Sequence, residues 1–215
     1  LQWVGPLWPY HKDEKLLICP SAVKPKLAPE PGDSQSGGKL DAWADWWNAG
    51  EIYWEEVPPP GKHYVGSYGL NFWFTNDEGN VRGELWNGKS KPWGLAPGSL
   101  LAAKGADRVP MLLDCAHGGD APLPKDTPPE YDGQIYFSIP MNINEIRSFC
   151  INRHNEYVNG AFLDFSARKI GLKELWVLEW HRTWKEEICA EGLPTEWDNP
   201  DHWMYGMKDY PLYCY

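Results

Sequence analysis

The chain has 215 residues, which is enough for one sizeable hydrophobic core, and a formal net charge of −10. This charge argues against nucleic acid as a partner, because binding phosphates requires clustered Lys and Arg. No apolar run of about eighteen residues occurs, so the sequence predicts no membrane span. The chain also begins at Leu1 rather than Met and shows no signal peptide, which predicts a processed or trimmed protein.

The first residues, 1–14, are predicted to form an extended arm. Aromatic residues (Trp3, Trp8 and Tyr10) are interspersed there with Pro, which removes a backbone donor and interrupts a helix. A loop rich in Pro, Gly and Ser follows at about residues 24–38.

Five elements are predicted beyond this loop. Residues 41–47 are expected to form a short helix capped by an Asp, and residues 63–75 an aromatic-rich strand. Residues 108–115 predict a short buried strand, and residues 144–149 predict one helical turn. The best helix is expected at residues 172–185, where apolar residues recur at helical spacing.

The most informative segment, residues 149–169, is interpreted as a loop that enters a β-hairpin. His154 stands before the first strand, Asn159-Gly160 is expected to provide a turn or bulge, and residues 161–170 are expected to form a strand. Nine residues separate His154 from Asp164, and Phe165 follows.

This spacing resembles the H-X9-DG signature of bacterial prepilin-like proteins, which combine a type IV pilin-like N-terminus with a β-rich head. Phe165 departs from the signature, in which Gly takes that position. Five further segments are similar to the same group and follow its order along the chain: residues 17–22, 66–71, 110–115, 126–129 and 171–176. The resemblance covers roughly residues 7–185.

The resemblance implies an α+β, pilin-like fold in three parts. Residues 15–185 would form a head with an antiparallel β-sheet and long Pro/Gly-rich loops, preceded by the extended arm of residues 1–14. A C-terminal helix would lead into an irregular aromatic tail, residues 186–215, packed on the head or on a neighbouring copy. The long apolar N-terminal helix of the family is absent from the sequence.

The resemblance also implies a function. It predicts a non-enzymatic structural subunit of a self-assembling filament, located outside a bacterial cell or at its surface, with copies of itself as partners. A minor pseudopilin-like component of a secretion or surface apparatus is the alternative within the same class. An aromatic-rich carbohydrate-binding module, with surface glycans as partners, is the alternative from another class.

His154 and Asp164 also permit a catalytic hypothesis, since a His with a carboxylate partner is a common general base. No Ser or Cys lies in a nucleophile-elbow context, however. A structural hydrogen bond between the two residues that holds the hairpin together, with Asn152 and Arg153 in the same polar network, is therefore favoured.

Five cysteines allow at most two disulfides. Cys189–Cys214 is the first choice in an oxidising compartment, Cys19–Cys115 is the second, and Cys150 is expected to be buried. A fully reduced, buried set remains an alternative. The cysteines lack zinc-type spacing, so neither a metal cluster nor a cofactor is predicted.

Two further interpretations concern acidic and aromatic residues. The carboxylates between residues 120 and 132 are interpreted as a solvated loop rather than a calcium site, because no EF-hand spacing is present. Trp and Tyr suit subunit interfaces, while Trp residues at 176, 180 and 184 are assigned to the core. The predicted assembly interface consists of Trp3, Trp8, Tyr10, Trp203 and Tyr213.

Overall fold

The computed structural model describes residues 13–22, 24–25, 34–35, 37, 39–46, 63–74, 105–134 and 144–214. Three residues of the predicted interface, Trp3, Trp8 and Tyr10, lie outside these ranges. The described part is α+β, with two mainly antiparallel sheets connected by short helical turns. None of its helices is long and apolar enough to cross a membrane.

The smaller sheet is organised around β3 (Asp41–Trp46). β1 (Lys24–Pro25) pairs with β3 in parallel, whereas β2 (Ser34–Gln35) and β4 (His63–Gly66) pair with it antiparallel. The prediction of a helix at residues 41–47 is therefore wrong. Trp fits a pleated strand well, and three strands from elsewhere in the chain supply hydrogen-bonding partners that a local pattern cannot reveal.

The larger sheet has the strand order β7-β5-β6-β8-β9. Its neighbours are antiparallel except for the parallel pair of β5 and β7. The strand predicted at residues 108–115 is confirmed as β6. The strands are β5 (Tyr68–Asn71), β6 (Pro110–Asp114), β7 (Gly119–Asp120), β8 (Tyr157–Phe162) and β9 (Ala167–Gly171).

The predicted hairpin exists, but its turn lies elsewhere. Asn159 and Gly160 lie inside β8, and the turn spans residues 163–166. Gly160 lies close to β9, because a Cβ atom there would lie 2.5 Å from the Cδ1 of Ile170, and that side chain would have to shift. Gly160 thus marks a position where β8 and β9 are in close contact.

The helical elements among the described residues are short. An α-helix, α1, spans Trp184–Glu191, and the helical turn predicted at residues 144–149 is confirmed as the 3-10 helix Glu145–Ser148. The long helix predicted at residues 172–185 is wrong, since 3-10 helix Leu172–Val177 ends before α1 begins. The other 3-10 helices are Glu14–Leu17, Phe72–Phe74, Ala106–Arg108 and Glu196–Asp198.

Side-chain packing explains why the chain does not form one continuous helix over residues 172–185. Trp176, Trp180 and Trp184 are all buried, as the sequence predicts. The indole N–H of Trp180 donates to the carbonyl of Leu175 at 2.7 Å, and that of Trp184 donates to the carbonyl of Trp176 at 3.1 Å. The chain therefore wraps around its aromatic side chains, whereas a regular helix would direct one face to solvent.

One hydrophobic core connects the larger sheet with the C-terminal residues. It contains Leu113, Val158 and Ile170 from the sheet and Met204 from the tail. The tail also places the ring of Trp197 5.0 Å from that of Trp176, edge to face. Residues 186–214 thus pack on the head of their own chain.

The predicted disulfide between Cys189 and Cys214 is confirmed, and it ties α1 to the end of the tail. The two cysteines are 25 residues apart, and closing a loop of that length stabilises a fold by roughly 3–4 kcal/mol through the entropy of the unfolded chain. The second predicted bridge is not formed, because Cys19 and Cys115 are free and buried, as is Cys150.

Candidate functional site

His154 and Asp164, the two named positions of the signature, do not pair with each other in the structure. His154 lies in the loop before β8, where its Nε2 is 3.1 Å from the Oδ2 of Asp114. Asp164 lies exposed in the β8–β9 turn and accepts hydrogen bonds from the backbone N–H and the hydroxyl of Ser166 at 2.9 and 2.6 Å. The expected hydrogen bond between them is thus replaced by two separate sets of contacts.

Asp114, at the end of β6, is the centre of the His154 set. Its side chain has no exposed surface, and its Oδ1 accepts from the Nη1 of Arg153 at 3.1 Å. Its Oδ2 accepts from the backbone N–H of Asn159 at 2.7 Å and also faces His154. A fully buried carboxylate is tolerated only with such partners, so Asp114 fixes the positions of both neighbouring side chains.

Arg153 distributes its donors over several strands. Besides Asp114, its Nη1 donates to the carbonyl of Ser67 at 2.6 Å, and its Nε donates to the carbonyl of Lys39 at 3.3 Å. The guanidinium thereby joins the entry to β3, the β4–β5 connection and β6. Asn152 has a local role instead, because its Oδ1 accepts the backbone N–H of Glu156 at 2.7 Å.

Cys19 completes this group from a segment far away in sequence. Its Sγ lies 3.3 Å from the Nε2 of His154, and its side chain is only 1% exposed. Its backbone N–H donates to the hydroxyl of Ser67, and the Tyr68 hydroxyl hydrogen-bonds its thiol. Burial, reinforced by the neighbouring Cys19 and Asp114, raises the pKa of Tyr68 to about 12, so the phenol remains a donor. We call Cys19, Asp114, Arg153 and His154 the buried junction.

The buried junction contains the residue types of a Cys-His-Asp nucleophile, but not its geometry. In such a triad the carboxylate bonds one imidazole nitrogen and the nucleophile bonds the other. Here Cys19 Sγ and Asp114 Oδ2 both approach the Nε2 of His154. Cys19 is also buried, and the group connects the segment 13–22 with β6 and the loop before β8.

Sequence reasoning identified His154 and Arg153 but missed Cys19 and Asp114. Cys19 and His154 are 135 positions apart, so no local spacing connects them. The available signal was a charged residue inside a segment predicted as a buried strand, since an Asp in that setting needs a buried partner.

Asp126 corrects the interpretation of a solvated acidic loop. It is buried, and its carboxylate accepts backbone N–H groups from Leu123 at 2.9 Å, Ile146 at 3.1 Å and Asn144 at 3.2 Å. Burial raises the pKa of Asp126 to about 7 despite these hydrogen bonds. The residue organises the loop before β8 from inside the fold.

Phe165, where the signature has Gly, has an unusual conformation. Its φ is 64°, in the left-handed region that favours glycine, and its side chain is 82% exposed. Its N–H donates to the carbonyl of Phe162 at 2.9 Å, which closes the β8–β9 turn. The Gly of the signature thus corresponds here to a backbone position that a bulky residue occupies with strain.

The two described members of the predicted interface differ in exposure. Trp203 is half-buried, and its indole N–H donates to the carbonyl of Pro129 at 2.7 Å. Tyr213 is 54% exposed and lines a surface groove of about 230 Å³ with Leu178, Ile188 and Leu212. Of the two, Tyr213 has the more exposed side chain.

Comparison with protein-family models, with curated proteins and with solved structures finds no match for this chain. The functional conclusion therefore depends on the geometry of its own residues and on the resemblance of its motifs.

Proposed function

We propose that this protein is a non-enzymatic structural subunit, with a pilin-like head, that assembles with copies of itself outside a bacterial cell. The observation that carries the proposal is Phe165. It is a large apolar side chain that projects from the β8–β9 turn in a strained backbone conformation.

The strain at Phe165 supports a role beyond folding. A left-handed conformation costs an L-residue about 1–2 kcal/mol, and an exposed Phe recovers little of this by burial within its own chain. Such outliers are concentrated at functional sites, where a contact made elsewhere compensates for the strain. Contact with a second copy would bury the ring and provide that compensation.

The larger sheet offers a second element for assembly. β9 follows the Phe165 turn and pairs with β8 on one side, while no described strand pairs with its other side. Such an edge accepts an added strand through its backbone groups. The occupant that we propose is the arm of a neighbouring copy, residues 1–14, with Trp3, Trp8 and Tyr10 as its apolar anchors.

Two features of the head are consistent with this role. The Cys189–Cys214 disulfide is compatible with an oxidising compartment outside the cytoplasm. The buried junction joins the segment next to the arm, through Cys19, to the sheet. A head held together in this way can transmit force along a filament without opening.

The alternative of a carbohydrate platform has less support among the described residues. A sugar platform needs exposed aromatic faces, whereas Trp43, Trp73, Trp176, Trp184 and Trp197 are all buried. Their placement favours a core role, and Phe165, at 82%, is the most exposed large apolar side chain among the described residues.

Electron microscopy and sedimentation of the full chain over a range of concentrations test the proposal. We expect Phe165→Gly to weaken self-association at least about tenfold, equivalent to about 1.4 kcal/mol, while the monomer stays folded. Glu156→Gly is the matched control, because Glu156 also has positive φ (72°) and carries no aromatic ring. It should relieve backbone strain without changing assembly.

Changing Trp3 and Trp8 to Ala should likewise reduce assembly more than it reduces folding stability. A chain that stays monomeric at every concentration would contradict the proposal. Equal assembly of the wild type, Phe165→Gly and the arm variant would exclude both contacts. A change of Trp fluorescence on addition of oligosaccharides to a stable monomer would favour the carbohydrate-binding alternative.

A further inference from the structure

We propose that the buried junction is a zinc site, in which Cys19 Sγ, His154 Nε2 and Asp114 Oδ2 coordinate one Zn²⁺ ion. These three side chains each offer a ligand atom, and the atoms lie within 4.8 Å of one another. The inference goes beyond the proposed assembly and does not depend on it.

Two of the three separations are close to the edges of a tetrahedral site, and the third, between Cys19 Sγ and Asp114 Oδ2, is at most 4.8 Å. Zinc bonds of about 2.3 Å to sulfur and about 2.0–2.2 Å to nitrogen and oxygen place neighbouring ligand atoms about 3.4–3.6 Å apart. Cys19 Sγ lies 3.3 Å and Asp114 Oδ2 lies 3.1 Å from His154 Nε2. At these two edges a shift of a few tenths of an ångström would make room for an ion.

A second observation concerns the Nε2 atom of His154, which both Cys19 and Asp114 approach. The Nε2 atom of an imidazole either donates one hydrogen or accepts one, so it cannot make full hydrogen bonds to a thiol and a carboxylate together. Both groups nevertheless approach this atom. One ion at the centre of the group satisfies the sulfur, the nitrogen and the oxygen simultaneously, which hydrogen bonding alone does not.

The surrounding residues provide the outer contacts that a zinc site needs. Arg153 holds the Oδ1 of Asp114, and the backbone N–H of Asn159 holds its Oδ2. The hydroxyl of Tyr68 hydrogen-bonds the sulfur of Cys19. Such partners orient the ligands and commonly account for roughly 10–100-fold in metal affinity.

The mixed S/N/O ligand set selects the metal. Thiolate and imidazole favour Zn²⁺ over Ca²⁺ and Mg²⁺, which prefer oxygen ligands alone. The side chain of His154 is 19% exposed, which gives the ion a route from solvent and leaves room for water as a fourth ligand. The thiol proton of Cys19 leaves to solvent as the zinc–sulfur bond forms.

The consequence is a metal clamp across the fold. Cys19 belongs to the segment 13–22, Asp114 to β6, and His154 to the loop before β8. Zinc would link these three segments, which are distant in sequence, and would stabilise the folded chain in proportion to the logarithm of the free zinc concentration.

The test uses the full chain with its disulfide intact, treated with chelator and verified to have three free thiols. Co²⁺ serves as the spectroscopic probe, and Zn²⁺ titration calorimetry gives the stoichiometry. We expect one ion per chain, a thiolate-to-cobalt charge-transfer band in the near ultraviolet, and a Tm that rises with added zinc.

Two variants locate the ion. Cys19→Ser retains a hydroxyl for hydrogen bonding but removes the thiolate, so it should abolish the charge-transfer band and weaken zinc binding by more than about 100-fold. Cys150→Ala, which removes a different buried thiol, should bind zinc as the wild type does.

A folded wild-type chain without the charge-transfer band would overturn the proposal. So would a band that persists in Cys19→Ser, because it would place the ion elsewhere. Since filament assembly is not measured in this experiment, failure here leaves the proposed assembly intact, and failure of assembly leaves the zinc site intact.

Discussion

The two ends of the segment from His154 to Phe165 contrast sharply. At the first end, His154 and Arg153 meet a carboxylate that has no exposed surface. At the second end, Asp164 is solvent-exposed, and Phe165 extends into solvent in a strained conformation. Between them, β8 forms the fourth strand of the larger sheet.

The contrast indicates that the two ends of this segment have different roles. Buried ionic groups are costly unless every partner is present, so the His154 end determines how distant segments meet. Exposed turns tolerate change, so a strained apolar residue there is more readily explained by a partner than by the fold. His154 lies before β8 and Asp164 lies after it, and each contacts other residues.

Removing an ionic partner in the buried junction should lower the free energy of unfolding the most. Arg153→Met would remove the guanidinium partner of the fully buried Asp114 carboxylate, and we expect the free energy of unfolding to fall by about 3–5 kcal/mol. Urea denaturation measures the change. Arg168→Met is the matched control, because the ion pair of Arg168 with Glu174 is partly exposed. It should cost less than about 1 kcal/mol, and equal losses in the two variants would contradict this difference.

The pH dependence of stability extends the comparison of buried and exposed groups to Asp126. This carboxylate accepts backbone N–H groups as Asp164 does, but it is buried. Its pKa is raised from 3.8 to about 7, so the folded state binds the proton more tightly. The protonated Asp126 therefore makes its full contribution to the free energy of unfolding below pH 4, and this contribution is lost as the pH rises to about 7. Each pKa unit corresponds to about 1.4 kcal/mol, so we expect a change of a few kcal/mol.

His181 opposes this trend over part of the same range. Burial lowers the pKa of His181 to about 3, so stability is lost as the pH falls from 6.5 toward 3. Asp126→Asn removes the first effect and leaves the second. Denaturation curves for the variant should show stability rising between pH 4 and pH 6.5, whereas the wild type shows a flatter profile. Identical profiles would contradict the titration of Asp126 in this range.

Relieving the backbone strain at Phe165 should change the free energy of unfolding by a smaller amount, and should raise it. Phe165→Gly is expected to raise the free energy of unfolding of the monomer by about 1 kcal/mol, because Gly adopts positive φ without steric conflict. Thermal unfolding at a concentration below self-association measures the gain. A loss of stability would instead mean that the ring packs within its own chain.

Asp164→Asn should have the smallest effect. An Asn side chain can accept the same hydrogen bond from the Ser166 backbone N–H, and solvent already screens the charge of Asp164. We expect the urea midpoint to stay close to that of the wild type, whereas His154→Ala should lower it clearly. Equal losses in both variants would restore the view that the two residues act as a pair.

Local patterns predicted elements whose stability depends on their own residues. The buried strand β6, the helical turn at Glu145–Ser148, the core placement of Trp176 and the Cys189–Cys214 disulfide all agree with prediction. Predictions failed where contacts from distant segments override local preference. Residues 41–46 became β3 because other strands pair with them, and the helix expected after residue 172 breaks around its own Trp side chains.

By itself, the sequence determined that this chain forms an α+β fold with an aromatic core, a disulfide between Cys189 and Cys214, and a hairpin that follows His154. Hydrophobic period, turn residues and cysteine position carry that information along the chain. Only the tertiary structure decided that His154 meets Asp114 and Cys19 rather than Asp164, because residues 19, 114 and 154 become neighbours only after the sheet has formed. It likewise decided that Phe165 occupies a left-handed turn, since the register of β8 and β9 fixes the turn at residues 163–166.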